Sequence, residues 1–107
     1  VKLVAGAGAT YVARWTAYHV RELSKSMIEA AQNKGFSFIE VLSQCPTQFG
    51  RRNDTSNAFE MLMALKYSTT KNPEIYPDKI PIGIFVKKRE TEFIEAIQQM
   101  KAQNLEN

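Results

Sequence analysis

One cysteine, one histidine and two arginine-bearing stretches hold most of the reactive side chains in these 107 residues. Cys45 stands in Ser43-Gln44-Cys45-Pro46-Thr47, directly after the apolar run at residues 36–42. A thiolate at the carboxyl end of a buried strand can bind a soft metal or act as a nucleophile. In open α/β sheets that end is where ligands bind. A buried structural cysteine is the commoner fate of a lone thiol, so position alone leaves the three roles open. A nucleophilic Cys45 would need a base. The one histidine, His19, reads more simply as a helix N-terminal residue with one ring nitrogen solvated. One Cys and one His without spaced partners do not make a tetrahedral metal set inside this chain.

Gln48-Phe49-Gly50-Arg51-Arg52-Asn53 is the most polar loop with a basic pair. Its arginines could hold a carboxylate or phosphate bidentately; a solvated turn is the plainer alternative. Lys87-Lys88-Arg89 is a basic run before a helical pattern, and its default is a solvated connection. Gly6-Ala7-Gly8 precedes a strand, whereas a phosphate-binding glycine loop follows a strand and opens a helix. It is therefore a helix-to-strand turn.

The elements that must position these groups alternate between two periodicities. Residues 2–5 are the last turn of a helix, which glycine ends. They open the chain in mid-element, as in a piece of a longer polypeptide. Residues 10–13 suit a short strand. Thr16 is a candidate N-cap, and Val20, Leu23, Met27, Ile28 and Ala31 follow at helical spacing as one apolar stripe facing a sheet. Arg21, Glu22, Lys25, Glu29 and Lys34 take the polar face, and Gly35 is the expected C-cap. Residues 36–42 are apolar on both faces apart from Ser37 and Glu40, which fits a central strand of a parallel sheet. Strand, helix and strand make a βαβ unit. After a loop at 43–57, Ala58, Met61, Leu62 and Leu65 mark a third helix. Residues 71–81 carry three prolines, 82–86 read as a strand, and 90–104 form a final helix burying Phe93, Ile94, Ile97 and Met100. The expected fold class is α/β.

Composition narrows the function classes. Hydrophobic residues make up 44% and charged residues 23%, as in a soluble globular domain. The net charge of +3 is mild and interspersed, unlike the basic stripe of a nucleic-acid binder. No apolar run approaches the roughly 20 residues that cross a bilayer, and a lone cysteine points to a reducing, cytoplasmic setting.

Two segments together, Gly8-Ala9-Thr10-Tyr11-Val12-Ala13-Arg14 and Lys34-Gly35-Phe36-Ser37-Phe38-Ile39-Glu40-Val41-Leu42-Ser43-Gln44-Cys45-Pro46-Thr47, resemble the β subunit of 2-oxoacid:ferredoxin oxidoreductases. Thr16-Ala17-Tyr18-His19-Val20-Arg21 and the continuation of the cysteine segment to Asn53 look most like the 2-oxoglutarate type. Residues 1–53 would then be the C-terminal part of a thiamine-diphosphate-binding domain. Residues 54–107 would be a C-terminal extension, recognisable in Lys79-Ile80-Pro81-Ile82-Gly83-Ile84-Phe85. The resemblance implies oxidative decarboxylation of a 2-oxoacid to an acyl-CoA. Thiamine diphosphate, Mg2+ and a [4Fe-4S] cluster serve as cofactors, and an α subunit, ferredoxin and coenzyme A as partners. It also implies that Cys45 is the fourth cluster ligand, because clusters take four thiolates, often from separated segments. The family's CxxC pair and Gly-Asp-Gly-Asp motif are absent from these residues. By the same resemblance, the chain alone binds neither the thiamine cofactor nor an intact cluster and is inactive.

Overall fold

The computed structural model describes residues 1–55 and 57–105. In chain order they form α1 (Lys2–Gly6), β1 (Tyr11–Thr16), α2 (Val20–Gln32), β2 (Ser37–Leu42), a π-helical turn (Pro46–Gly50), α3 (Ala58–Ser68), β3 (Thr69–Thr70), β4 (Ile80–Pro81), β5 (Gly83–Lys87) and α4 (Phe93–Leu105). β1 is the middle of a three-stranded sheet with the order β2-β1-β5. It pairs with β2 in parallel, from Tyr11↔Ser37 to Thr16↔Leu42. It pairs with β5 antiparallel, with a register shift between Val12 and Ala13. β3 and β4 form a separate short parallel ladder.

The parallel βαβ unit is as expected from the sequence, and the reason lies in β1. Side chains alternate across a strand. Tyr11, Ala13 and Trp15 fall on one face and form the buried cluster with Ile82, against which Leu23, Ala30 and Ile39 pack. Each large apolar side chain so buried contributes roughly 1.5–3 kcal/mol. Two polar links fix α2 over this face. Trp15 Nε1 donates to Ser26 Oγ at 2.6 Å, and the Tyr11 hydroxyl donates to Glu29 at 3.1 Å. On the opposite face Arg14 Nε donates to Glu40 Oε2 at 2.7 Å, and the α-amino group of Val1 lies 3.7 Å from the same oxygen.

Four expectations need correction. First, α2 begins at Val20 with His19 as its N-cap, because β1 runs on through Trp15 and Thr16. The helix ends at Asn33 rather than Gly35; Gly35 instead turns the chain at φ +96. Second, the apolar stripe of α2 is split. Leu23 and Ala30 reach the core, whereas Val20, Met27 and Ile28 are about 60% exposed, at 59%, 58% and 61%. The face on the sheet runs Leu23, Ser26, Ala30, and includes the small buried Ser26 that a hydrophobicity pattern passes over. Third, β2 lies at an edge of the described sheet and is only half-buried, while β1 is the covered central strand. In α4, Phe93, Ile94 and Met100 are likewise exposed and not buried.

The molecule is extended. Its radius of gyration is 18.8 Å, against roughly 13 Å for a compact domain of this length. Its accessible surface of 8038 Å² exceeds by about 2,000 Å² the value typical of a folded monomer of this size. Among the described residues no helix is long and apolar enough to cross a membrane.

Candidate functional site

Cys45 follows β2 after two residues, and the chain turns sharply there. Proline at 46 disfavours the helical region for the residue before it, and Cys45 accordingly sits at φ −130, ψ 88. Pro46 opens the π-helical turn, which closes by a hydrogen bond from Gly50 N–H to the Cys45 carbonyl at 2.9 Å. The sulfur is exposed. The Thr47 hydroxyl lies 3.8 Å from it. Hydrogen bonding from the backbone amides of Phe49 and then Gln48, with a smaller contribution from Thr47, holds the thiol below its ordinary pKa. Amides facing a sulfur stabilise its negative form, so the turn favours the thiolate, which is the metal-binding and nucleophilic species.

Beside it lies an open cleft of about 470 Å³ between the exit of β2, the π-helical turn and α3. Ser43, Gln44, Cys45, Phe49, Met61 and Leu65 line it. Asn57 caps α3 by accepting from the Phe59 and Glu60 amides at 3.0 and 3.3 Å. That aims Met61 and Leu65, one turn apart, at the cleft. The result is a polarised thiol at the rim of a mostly apolar recess.

The other sequence candidates are not brought to this thiol. His19 Nδ1 is 2.8 Å from the Thr16 hydroxyl, and its ring lies against Trp15 and Tyr18. Burial lowers its pKa, so the neutral ring is favoured. A Cys45–His19 pair is not formed. Arg51 and Arg52 are exposed and make no ion pair among the described residues. Lys87 pairs with Glu29 at 2.9 Å and Lys88 with Glu90 at 2.6 Å. The basic run therefore lies at the far end of β1 and is largely neutralised. Gly6-Ala7-Gly8 is the expected turn, with Gly8 at φ +94. Among the described residues no three of His, Cys, Asp or Glu converge. Sequence reasoning found the thiol and missed its donors: the amides of Gln48 and Phe49 carry no side-chain signature, and only Pro46 marks the turn that presents them.

No protein-family model matches the chain. The 2-oxoglutarate synthase subunit KorB of Methanothermobacter thermautotrophicus is 40% identical over 106 residues, covering 92% of this chain and 37% of the relative. The chain is related to the KorB subunit of 2-oxoglutarate synthases. The KorB subunit of Archaeoglobus fulgidus is 37% identical over 114 residues, covering 99% of this chain and 41% of the relative. The 2-oxoacid:ferredoxin oxidoreductase subunit beta of Saccharolobus solfataricus is 40% identical over 47 residues, 44% of this chain and 15% of the relative. The chain thus spans about two-fifths of the length of the KorB relatives it matches. In fold it is similar to a 2-oxoglutarate:ferredoxin oxidoreductase from Magnetococcus marinus, whose structure was solved with 2-oxoglutarate, coenzyme A and succinyl-CoA bound. The TM-score is 0.65 at 18% identity, over 90% of this chain and 35% of that one.

Proposed function

We propose that this chain is the C-terminal portion of the β subunit of a cytoplasmic 2-oxoglutarate:ferredoxin oxidoreductase, working with an α subunit. Such an enzyme converts 2-oxoglutarate and coenzyme A to succinyl-CoA and carbon dioxide and passes two electrons to ferredoxin. The 40% identity to KorB across 92% of the chain carries the proposal. In it, residues 1–53 complete the thiamine-diphosphate-binding domain and residues 54–107 form the extension.

Within that enzyme Cys45 is one of the four thiolates of the [4Fe-4S] cluster, with the other three outside residues 1–107. The local chemistry suits the role. The sulfur is exposed at the carboxyl end of β2, its pKa is lowered, and hydrogen bonds to ligand sulfurs are a main control of cluster potential. The Phe49 and Gln48 amides favour the negative sulfur, Pro46 restricts the backbone of Cys45, and Met61 and Leu65 line the cleft beside it. When bound, the cluster carries electrons to ferredoxin, and thiamine diphosphate with Mg2+ supplies the electron sink for carbon–carbon cleavage; the motif that holds these last two lies outside residues 1–107. The match to the Saccharolobus β subunit favours one further reading: a member of the wider family with a different 2-oxoacid, such as pyruvate.

Cys45→Ser in the complete subunit tests the assignment. Iron content, the cluster's visible absorption and ferredoxin reduction should fall, while thiamine diphosphate affinity stays near normal. Full iron occupancy with normal ferredoxin reduction would refute it. The ratio of kcat/KM for 2-oxoglutarate and pyruvate decides the substrate.

A further inference from the structure

The two ends of the β1–β2 pair carry their charge differently. At the amino end of β1, Tyr11 stands opposite Lys87, and the basic run there is largely neutralised, Lys87 by Glu29 and Lys88 by Glu90. Elsewhere Lys34 meets Glu95, Lys71 meets Glu22 and Arg14 meets Glu40. At the carboxyl end, beside the thiol, Arg51 and Arg52 are exposed, and neither meets a carboxylate among the described residues. Asp54, the next acid along the chain, sits in a left-handed turn at φ 52 and pairs with neither of them.

The backbone keeps this arginine pair close to Cys45. Gly50 N–H closes on the Cys45 carbonyl at 2.9 Å, Asn53 N–H on Phe49 at 3.2 Å and Thr55 N–H on Gly50 at 2.9 Å. The chain therefore coils without a break from Pro46 to Arg52. At about 1.5 Å of rise per residue, the Cα atoms of Arg51 and Arg52 lie about 10 Å from that of Cys45. Phe49 stands between them in sequence. It lines the cleft with Cys45 yet is 59% exposed. Aromatic and arginine side chains are the types enriched where proteins dock, and they carry much of the binding energy there. A solvated turn needs neither an exposed phenyl ring nor two uncompensated guanidinium groups.

We propose that Phe49, Arg51 and Arg52 form the docking surface for the acidic electron acceptor, a ferredoxin, in the complete enzyme. This rests on the reading of Cys45 as a cluster ligand of a 2-oxoacid:ferredoxin oxidoreductase. An acceptor that takes electrons from a cluster at Cys45 has to seat its own redox centre close by. An unneutralised arginine pair about 10 Å away offers its surface carboxylates a bidentate hold, and Phe49 supplies an apolar contact between the charges and the thiol. Complexes that pass electrons are small, under about 1,200 Å², so two rim charges and one aromatic ring are in proportion to the task. Such charges act by steering the encounter and fixing its register, and salt weakens them. Lys87-Lys88-Arg89 lies at the other end of β1, roughly 20 Å along the strand, and is too distant from Cys45 to serve.

The test is Arg51→Glu/Arg52→Glu in the complete enzyme with both subunits, with Lys88→Glu/Arg89→Glu as a control of equal charge change. Calorimetric titration with an oxidised acidic ferredoxin at low salt reads binding directly, without turnover. Electrostatic steering changes association by about 10-fold to 1,000-fold. The arginine variant should therefore weaken ferredoxin affinity and raise the KM for ferredoxin by about tenfold or more, and its remaining affinity should depend less on salt. Iron content, visible absorption and the rate with methyl viologen, a small acceptor that needs no docking surface, should stay within about twofold of the unaltered enzyme. Should the reversal cost iron, Arg51→Gln/Arg52→Gln removes the charge without inverting it and decides by the same readings. Unchanged ferredoxin affinity overturns the proposal, and so does an equal loss in the control. A raised KM for 2-oxoglutarate or coenzyme A with viologen as acceptor would place the arginines at a substrate's carboxylate or phosphate and overturns it as well. The two claims part cleanly. Viologen reduction with ferredoxin binding unmoved by the variants removes only the docking surface, and an unaltered enzyme that reduces no viologen with 2-oxoglutarate removes the enzymatic reading.

Discussion

Gly8 and Gly35 form a matched pair that isolates the energy of one contact. Both take nearly the same positive φ, +94 and +96, but a Cβ on Gly8 would meet nothing within 4 Å. A Cβ on Gly35 would come within 2.6 Å of Thr10 Oγ1 and 2.9 Å of Thr10 Cγ2. Thr10 has little room to yield. It is 4% exposed, its hydroxyl donates to the Lys34 carbonyl at 3.0 Å, with the Phe36 carbonyl at 3.2 Å, and it accepts from Asn33 Nδ2 at 2.7 Å. Gly8→Ala should therefore cost only the left-handed strain, about 1–2 kcal/mol. Gly35→Ala adds displacement of Thr10 and loss of two hydrogen bonds at about 1 kcal/mol each. The expected gap is about 2 kcal/mol, or roughly 30-fold in the folded-to-unfolded ratio. Urea unfolding followed by the fluorescence of Trp15, the chain's one tryptophan, measures it, since that ring lies between β1 and α2. Equal costs for the two variants would show that Thr10 does not seat the α2–β2 turn as described.

Three other outcomes follow from the same contacts. Ser26→Ala strips the buried Trp15 indole N–H of its acceptor and should destabilise by about 1–3 kcal/mol; a neutral result in the same urea experiment would mean that water replaces the serine. Alkylation of Cys45 by iodoacetamide should show a pH midpoint below that of a free thiol, because its pKa is lowered by the Phe49 and Gln48 amides; a midpoint at or above the free-thiol value would remove the amide cradle. His19 should titrate below an unperturbed imidazole in NMR, since burial depresses its pKa. With the folded pKa depressed, the unfolded chain binds the proton more readily. This contribution to stability is therefore full well above the unfolded pKa of about 6.5 and is lost as pH falls through it, and a stability that rises on acidification there contradicts the assignment.

The sequence disclosed what depends on local pattern. Residues 10–13 and 36–42 announced strands by composition, and the intervening helical period announced the crossover. It misjudged what depends on neighbours. The stripe through Val20 and Met27 looked like a core face because apolar spacing does not say which flank is covered in a given length of chain. Ser26 was passed over because a small polar residue becomes a core contact only when a tryptophan N–H needs it. β2 looked central by composition, yet it borders open space among the residues described. At the candidate site, Cys45 and Pro46 were legible as a thiol at a chain turn, whereas the amide donors of Gln48 and Phe49 are backbone groups that every residue but proline owns.

The central strand also sets an order of assembly. β1 meets β2 across 26 residues, as in Arg14–Glu40, but meets the β4–β5 region across 67, as in Arg14–Pro81. The longer closure adds only about 0.8 kcal/mol of chain entropy, so it weighs little on equilibrium. It weighs more on time, because distant pairings wait for local ones. The β1–α2–β2 unit is therefore expected to close first on its own short loop, with β5 pairing afterwards along a ladder interrupted at Val12 and Ala13. By the same reasoning β5 is the strand expected to peel away first on unfolding, before the parallel pair and its helix open.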